Sequence, residues 1–249
     1  MISPAVVPDF SHLLTTPDAK RLLQHLNTLE SKKSSETLDL KIEVKLQALS
    51  EQWQQLAYAQ DLNTSDDKLS THAVNESIFA DDKEKARTDW LINLFNTLFT
   101  HQHVILVRGD GEPEYFPAED SQPARIEFAH GFFQSALHEC SHFCIAGERR
   151  RQLADFGYWY APDGRSAAQQ SAFERVEIKP QALECLFTLA CGRDFKVSQD
   201  NLFADFDTSG STFAHDVYQQ AKRYIFEPHT LPRDARTLLQ ALLYICTAE

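Results

Sequence analysis

The stretch Arg125-Ile-Glu-Phe-Ala-His-Gly-Phe-Phe-Gln-Ser-Ala-Leu-His-Glu-Cys-Ser-His-Phe-Cys-Ile-Ala-Gly147 decides how the rest of the chain is read. Residues 125–129 alternate between polar and apolar side chains and end at His130-Gly131, the pattern of a short strand. The period then changes, and a helix is expected over residues 132–146 with Gly147 as its C-terminal stop. Within that helix His138 and His142 stand four residues apart, about 40° from one another around the axis, so both can grip one metal ion. Glu139 lies about 100° around and can flank the ion without ligating it. Cys140 and Cys144 each lie about 200° from the corresponding histidine, on the opposite face, and read as core packing. The plain alternative is an ordinary helix with two satisfied histidines. The preceding strand and a carboxylate further along the chain weigh against it.

A site of this kind needs a third ligand. Glu174 and Glu177 sit at i and i+3 near the start of the next long helix; Glu177 is the choice, with Asp155, Asp163 and Glu174 as alternatives. Two histidines and one carboxylate leave the metal open. They suit a zinc hydrolase in which Glu139 is general base for a metal-bound water, and equally a non-haem iron(II) oxygenase. Spacing alone favours the hydrolase.

Composition bounds the rest. The 249 residues are 43% hydrophobic and 24% charged, with a net charge of −12. That is ample for a core, and it argues against a general nucleic-acid binder, which needs a basic face. No apolar run approaches a membrane span and the N-terminus lacks a signal-peptide pattern, so the expectation is a cytoplasmic protein with no membrane partner. Five cysteines without disulfide or zinc spacing read as reduced thiols. All eight glycines lie at or after Gly109, so residues 1–108 suit simple helical hairpins and the remainder should hold the strands and turns.

Along the chain, Thr16-Pro17 reads as an N-cap followed by proline at the first helical position, and Leu22, Leu23, Leu26 and Leu29 as one helical face. Ile42, Leu46, Leu49, Trp53 and Leu56 form a second stripe. Both stripes read as packing surface rather than cofactor contacts. Residues 61–86 are polar and read as a mobile linker, with a turn of helix near residues 74–79. A helix over residues 81–99 should bury Trp90, Leu91, Leu94, Phe95 and Leu98. A strand follows at residues 104–107, closed by Gly109-Asp110-Gly111, with residues 114–117 returning beside it. That Gly-Asp-Gly is no dinucleotide fingerprint, because no third glycine opens a helix at the right distance. Residues 156–160 read as a strand before the Pro162-Asp163-Gly164 turn. Residues 167–191 read as one long helix or two, residues 193–211 as loop, and residues 212–226 and 233–247 as closing helices. The fold class expected is α+β: a small sheet packed by helices, a zincin-like metal-binding helix, and a helical N-terminal extension. The expected division is residues 1–86, extension and linker, and residues 87–249, catalytic domain.

Three stretches resemble the elongation factor P hydroxylase family: residues 125–147 quoted above, Asp155-Phe-Gly-Tyr-Trp-Tyr-Ala-Pro-Asp-Gly-Arg165, and Phe173-Glu-Arg-Val-Glu-Ile-Lys-Pro-Gln-Ala-Leu183. The resemblance covers roughly residues 88–245 and says nothing of residues 1–86. It implies a bacterial cytosolic enzyme that hydroxylates the β-lysylated lysine of translation elongation factor P. It also implies a divalent metal, taken as Fe(II), with dioxygen as co-substrate, held by His138, His142 and Glu177. That reverses the order of the two metal readings, and Glu139 becomes a catalytic residue holding a histidine or a water. His130 and Ser141 become candidate contacts to the ligands or the substrate. Asp155, Asp163 and Glu174 can pair with the cationic ends of the modified lysine, and Tyr158, Trp159 and Tyr160 can line its path. Arg149-Arg150-Arg151 reads either as a docking patch for an acidic protein partner or as a solvated helix end that complements the dipole. Two other readings stand beside the hydroxylase: a zinc-dependent peptidase-like hydrolase with Glu139 as base, and a non-catalytic helical adaptor with a structural metal.

Overall fold

A computed structural model describes residues 8–30, 36–61, 73–158, 164–201, 203, 205–206 and 210–247. The chain runs α1 (Thr16–Glu30), α2 (Glu36–Asp61), α3 (Ala73–Leu98), β1 (Val104–Arg108), β2 (Glu114–Phe116), β3 (Ala124–Phe128), α4 (Phe133–Ile145), α5 (Ala167–Ala190), α6 (Phe213–Phe226) and α7 (Arg233–Cys246). It is mostly helical with one three-stranded sheet, an α+β architecture. No described helix is long and apolar enough to cross a membrane.

Two compact units divide the chain: Lys32–Cys140 forms one, and Met1–Ser31 joins Ser141–Thr247 in the other. The division falls inside α4, which is one continuous helix.

In the unit holding residues 32–140, α2 pairs with α3, and the expected stripes supply the contact. Leu49 and Trp53 are buried on α2; Trp90, Leu91, Leu94, Phe95 and Leu98 are buried on α3. Trp53 stacks at 4.4 Å on Trp90, whose indole N–H donates to the Leu49 carbonyl at 2.8 Å, so the large ring is buried without losing its polar partner. Helix α3 is longer than the sequence suggests. Residues 73–80, expected as linker with a turn of helix near residues 74–79, are helical and continuous with the helix expected from residue 81. Val74, Ile78 and Phe79 mark only a single turn, and the neighbouring Ala73, Glu76 and Ala80 are good helix formers, so propensity joins that turn to the helix that follows.

The sheet order is β1-β3-β2, with β1 and β3 parallel and β2 and β3 antiparallel. Residues 114–116 therefore return beside β3, not beside β1 as the sequence reading had them. Strand β3 alternates buried Ala124, Ile126 and Phe128 with exposed Arg125 and half-buried Glu127, which makes it the natural centre. Strand β1 is an edge, and its outer side is closed by a side chain. The Asn96 amide accepts from the Leu106 N–H at 2.7 Å and donates to the Leu106 carbonyl at 3.2 Å.

In the other unit, α5 packs on α6 and α7, and α1 on α7. Leu22 and Leu26 of α1 are fully buried, as are Leu238, Leu239, Leu242 and Leu243 of α7. Phe10 meets Phe195 and Tyr218 edge-on at 5.1 and 5.5 Å. The cap of α1 is Thr15, one residue before the one expected. The Thr15 carbonyl takes the first helical N–H, from Ala19, at 2.8 Å, while its hydroxyl bonds the Asp18 carboxylate at 2.6 Å.

Candidate metal centre

Helix α4 is set at both ends. At its start the backbone turns sharply through His130 (φ 55°) and Gly131 (φ +71°), and the Ser135 hydroxyl accepts the Ala129 N–H at 3.1 Å. A side chain at residue 131 would be strained by that φ and would crowd the Arg108 guanidinium, at 3.3 Å. Arg108 in turn bonds Asp89 and the Lys85 carbonyl of α3. At the other end, Arg151 donates twice to the Phe143 carbonyl, at 2.8 and 3.2 Å, lies 3.6 Å over the Phe143 ring, and bonds Asp234 of α7 at 2.6 Å. Arg150 donates to the Phe156 carbonyl at 3.0 Å and lies 4.1 Å over the Tyr158 ring. Two of the three arginines are thus committed within the fold, Arg151 to a helix-end carbonyl, while Arg149 and Arg150 are exposed.

One face of α4 is apolar. Phe133, Ala136, Leu137, Cys140 and Cys144 are buried, which leaves the histidine face for chemistry. Both cysteines are outside any disulfide and buried, as their place on the helical wheel predicts. Burial pushes the Cys144 thiol well above its ordinary range, with the Asp234 charge adding to it and Arg151 opposing.

Helix α5 begins at Ser166, whose N–H and hydroxyl both donate to Gln169 Oε1, at 3.0 and 2.9 Å. It ends at Gly192, φ +68°, where the Gly192 N–H bonds the Leu189 carbonyl and the Arg193 N–H the Thr188 carbonyl. One helix, not two, therefore carries Glu174 and Glu177, although Pro180 stands inside it.

His138, His142 and Glu177 come together: one ligand atom from each lies within 4.8 Å of the others. They are the group of this kind found among the described residues. Glu177 is 1% exposed and His142 7%, and Glu177 Oε1 stands 3.4 Å from His142 Nε2. Glu177 Oε2 is buried with no hydrogen-bond donor against it among the described residues. Ligand atoms around a first-row ion stand about 3–3.5 Å apart, so a small contraction of this group would hold one. The donor set of two imidazoles and one carboxylate, with Oε2 placed for a ligand, fits such an ion.

The other sequence candidates fall in different places. Glu139 is half-buried on α4, beside the histidine face, and Ser141 is fully buried. His130 is exposed at the helix entry, 6.0 Å from the Phe132 ring. Asp155 and Tyr158 are half-buried in the segment after Arg151. Residues 154–157 form a 3-10 turn, not the start of a strand: Asp155, Phe156 and Gly157 all take positive φ (46°, 55° and 68°), and three such residues cannot be extended chain. Phe156 is 3% exposed, so its packing holds an unfavourable backbone in place. Trp159, Tyr160 and Asp163 lie outside the described residues. Glu174 is half-buried, outside the triad, and accepts from Gln170 (3.3 Å), Gln199 (3.2 Å) and Ser211 (2.9 Å). Sequence reasoning missed the partners of this glutamate and the buried Arg165. That arginine bonds Gln170, the carboxylate and carbonyl of Asp200, and lies 3.9 Å over the Phe173 ring.

A family model described as elongation factor P hydroxylase matches residues 94–248. The chain belongs to the elongation factor P hydroxylase family. A protein of Haemophilus influenzae named elongation factor P lysine hydroxylase is 45% identical over 163 residues, which are 64% of this chain and 89% of that relative. All three members of the triad fall inside the stretch matched to the elongation factor P hydroxylases. That membership removes the ground for the peptidase reading, which rested on spacing alone.

Proposed function

We propose that this chain hydroxylates elongation factor P on its β-lysylated lysine, at a metal centre formed by His138, His142 and Glu177. The observation that carries the reading is the convergence of these three side chains within 4.8 Å, inside the segment shared with the elongation factor P hydroxylases. Helix α4 acts as a zincin-like element only in presenting two histidines one turn apart after a strand. Residues 87–249 are the proposed hydroxylase domain, with residues 1–86 as its extension, and the cytoplasm is its proposed location.

The metal that suits the activity is Fe(II), whose chemistry when bound is the binding and reductive activation of dioxygen. The chain's own residues do the rest. His138 and His142 present imidazole nitrogens from one helix face, so their separation is set by backbone geometry. Glu177 adds the negative charge that lowers the net charge of a divalent site and holds the third position. Glu139, next to His138, is the proposed catalytic residue: it orients a histidine or a water at the centre and moves a proton there. The long cationic substrate side chain is proposed to meet Asp155 and Asp163 through its ammonium groups and Tyr158 and Tyr160 along its stem, with His130 at the helix entry. Glu174, whose oxygens are already taken by Gln170, Gln199 and Ser211, is left with its loop.

The test is a mass measurement. Purified chain, β-lysylated elongation factor P, Fe(II), a reductant and dioxygen should add one oxygen atom to the factor. His138→Ala and Glu177→Ala should add none. A wild-type chain that adds no oxygen with iron, manganese or cobalt overturns the proposal.

A further inference from the structure

Helix α5 carries polar side chains where a buried helix ordinarily carries apolar ones. Gln170, Glu174, Glu177, Gln181, Glu184 and Thr188 recur at steps of four, three, four, three and four, which puts them on one face. All are buried except Glu174, which is half-buried. Polar groups persist at such depth where they are bonded, and the residues on either side of Glu177 are bonded to one segment. One turn before it, Glu174 accepts from the Gln199 amide and the Ser211 hydroxyl, and Gln170 donates to the Gln199 carbonyl at 2.9 Å. One turn after it, the Gln181 amide pairs with the backbone of Ser198 in both directions, at 2.7 and 3.1 Å. Ser198, Gln199 and Ser211 therefore lie along the turn that presents Glu177. Asp200 and Asn201 are fixed in turn: Arg165 bonds Asp200, and the Gly164 and Arg165 N–H groups donate to the Asn201 side chain at 2.9 and 3.1 Å.

That turn needs outside support. Pro180 has no N–H, so the Val176 carbonyl lacks its helical partner beside Glu177 itself. A metal ligand has to be held to within about 0.5 Å and 10–20° to bind well. On the reading of His138, His142 and Glu177 as metal ligands, we propose that Glu174 is a positioning residue of the centre. By clasping Gln199 and Ser211 it braces the Glu177 turn, and it sets metal affinity and geometry without touching metal or substrate. Gln181 performs the same service from the other side of the turn.

The experiment uses cobalt(II), stable in air, titrated into the full chain and read by affinity and by the visible absorption of the bound ion. Glu174→Ala should weaken cobalt binding about tenfold, the low end of losses seen when support of a ligand is removed, and should alter the absorption bands at saturation. Glu174→Gln keeps an acceptor for the two glutamines and a donor for Ser211, and should restore both readouts. Gln181→Ala should weaken binding in the same direction. Should Glu174→Ala fail to fold, Ser211→Ala and Gln199→Ala remove the loop's halves of the same bonds and carry the comparison. A Glu174→Ala chain with unchanged affinity and spectrum overturns the proposal even if it melts earlier, since Glu174 would then serve stability alone. A Glu174→Gln chain as weak as Glu174→Ala also overturns it, because the charge would then act as a ligand. A wild-type chain that binds no cobalt, or a Glu177→Ala chain that binds it as wild type does, overturns the metal reading itself.

Discussion

Helix α4 sets His138 and His142 with its own backbone, whereas α5 sets Glu177 with the help of flanking polar side chains and a loop. Two ligands one turn apart inherit their separation from the helical repeat, and α4 need only be helical and anchored at its ends. A single ligand on a second helix has no such internal ruler. Its position depends on how that helix is packed and braced, and α5 departs from an apolar interior for this purpose. The difference teaches where mutations should affect the metal and where they should affect only stability.

The largest effect should come from the ligands. His142→Ala and Glu177→Ala should each weaken metal binding by at least about a hundredfold and abolish oxygen transfer to the substrate lysine, measured by titration and by mass. If Glu177→Ala retains affinity, the two helices are not partners and the comparison fails. Next is Arg151→Ala, which takes one of two guanidinium partners from the buried Asp234, leaving Arg233, and the donor from the end of α4. It should cost about 3 kcal/mol in urea unfolding, yet leave the cobalt affinity of the folded chain within about twofold, because the spacing of the two histidines is intrinsic to the helix. A large affinity loss would show that α4, too, needs bracing.

Alkaline pH probes the packing behind α5. Burial pushes the Tyr224 phenol of α6 up to about 12 from 10.0, against a smaller opposing influence of Arg223. The stability tied to its neutral form is complete below pH 10 and is lost as pH rises toward 12, an effect of about 2–3 kcal/mol. Tyr224→Phe should therefore move the midpoint of alkaline unfolding upward, followed by circular dichroism. The smallest effect belongs to Asn96→Ala, whose side-chain amide bonds the backbone of Leu106. Exposing the Leu106 edge should cost about 1–3 kcal/mol with cobalt binding unchanged; any change there would mean that the sheet, too, tunes the centre.

Much of this was legible in the sequence, and the parts that were not share a cause. The strand before His130, helix α4, the cysteines behind it and the buried face of α3 all follow from periodicity, a local signal. Local spacing offers both Glu174 and Glu177, and only tertiary packing, which brings Glu177 to the histidines, separates the two. The polar stripe of α5 was present as a pattern, but its meaning lies in Ser198, Gln199 and Ser211, some twenty to forty residues away in sequence. The pairing of β2 with β3 is non-local in the same way. The left-handed run at Asp155-Phe156-Gly157 defeated the alternation of aromatic residues because only packing stabilises it. The continuity of α3 from residue 73 into the helix expected at residue 81 is not legible for the opposite reason, since helix propensity without a long apolar stripe leaves little periodic trace.

The separation of the ligands along the chain also bears on synthesis. His142 leaves the ribosome thirty-five residues before Glu177, the difference between positions 142 and 177, His138 earlier still, and residues 198–211 follow later. At about 5–20 residues per second, a nascent chain displays an incomplete, weakly binding pair of imidazoles for a few seconds. With the proposed ligands and their proposed clasp, full affinity is expected only once the later helix and its supporting loop residues have been made, which would place metal loading after the chain's own folding.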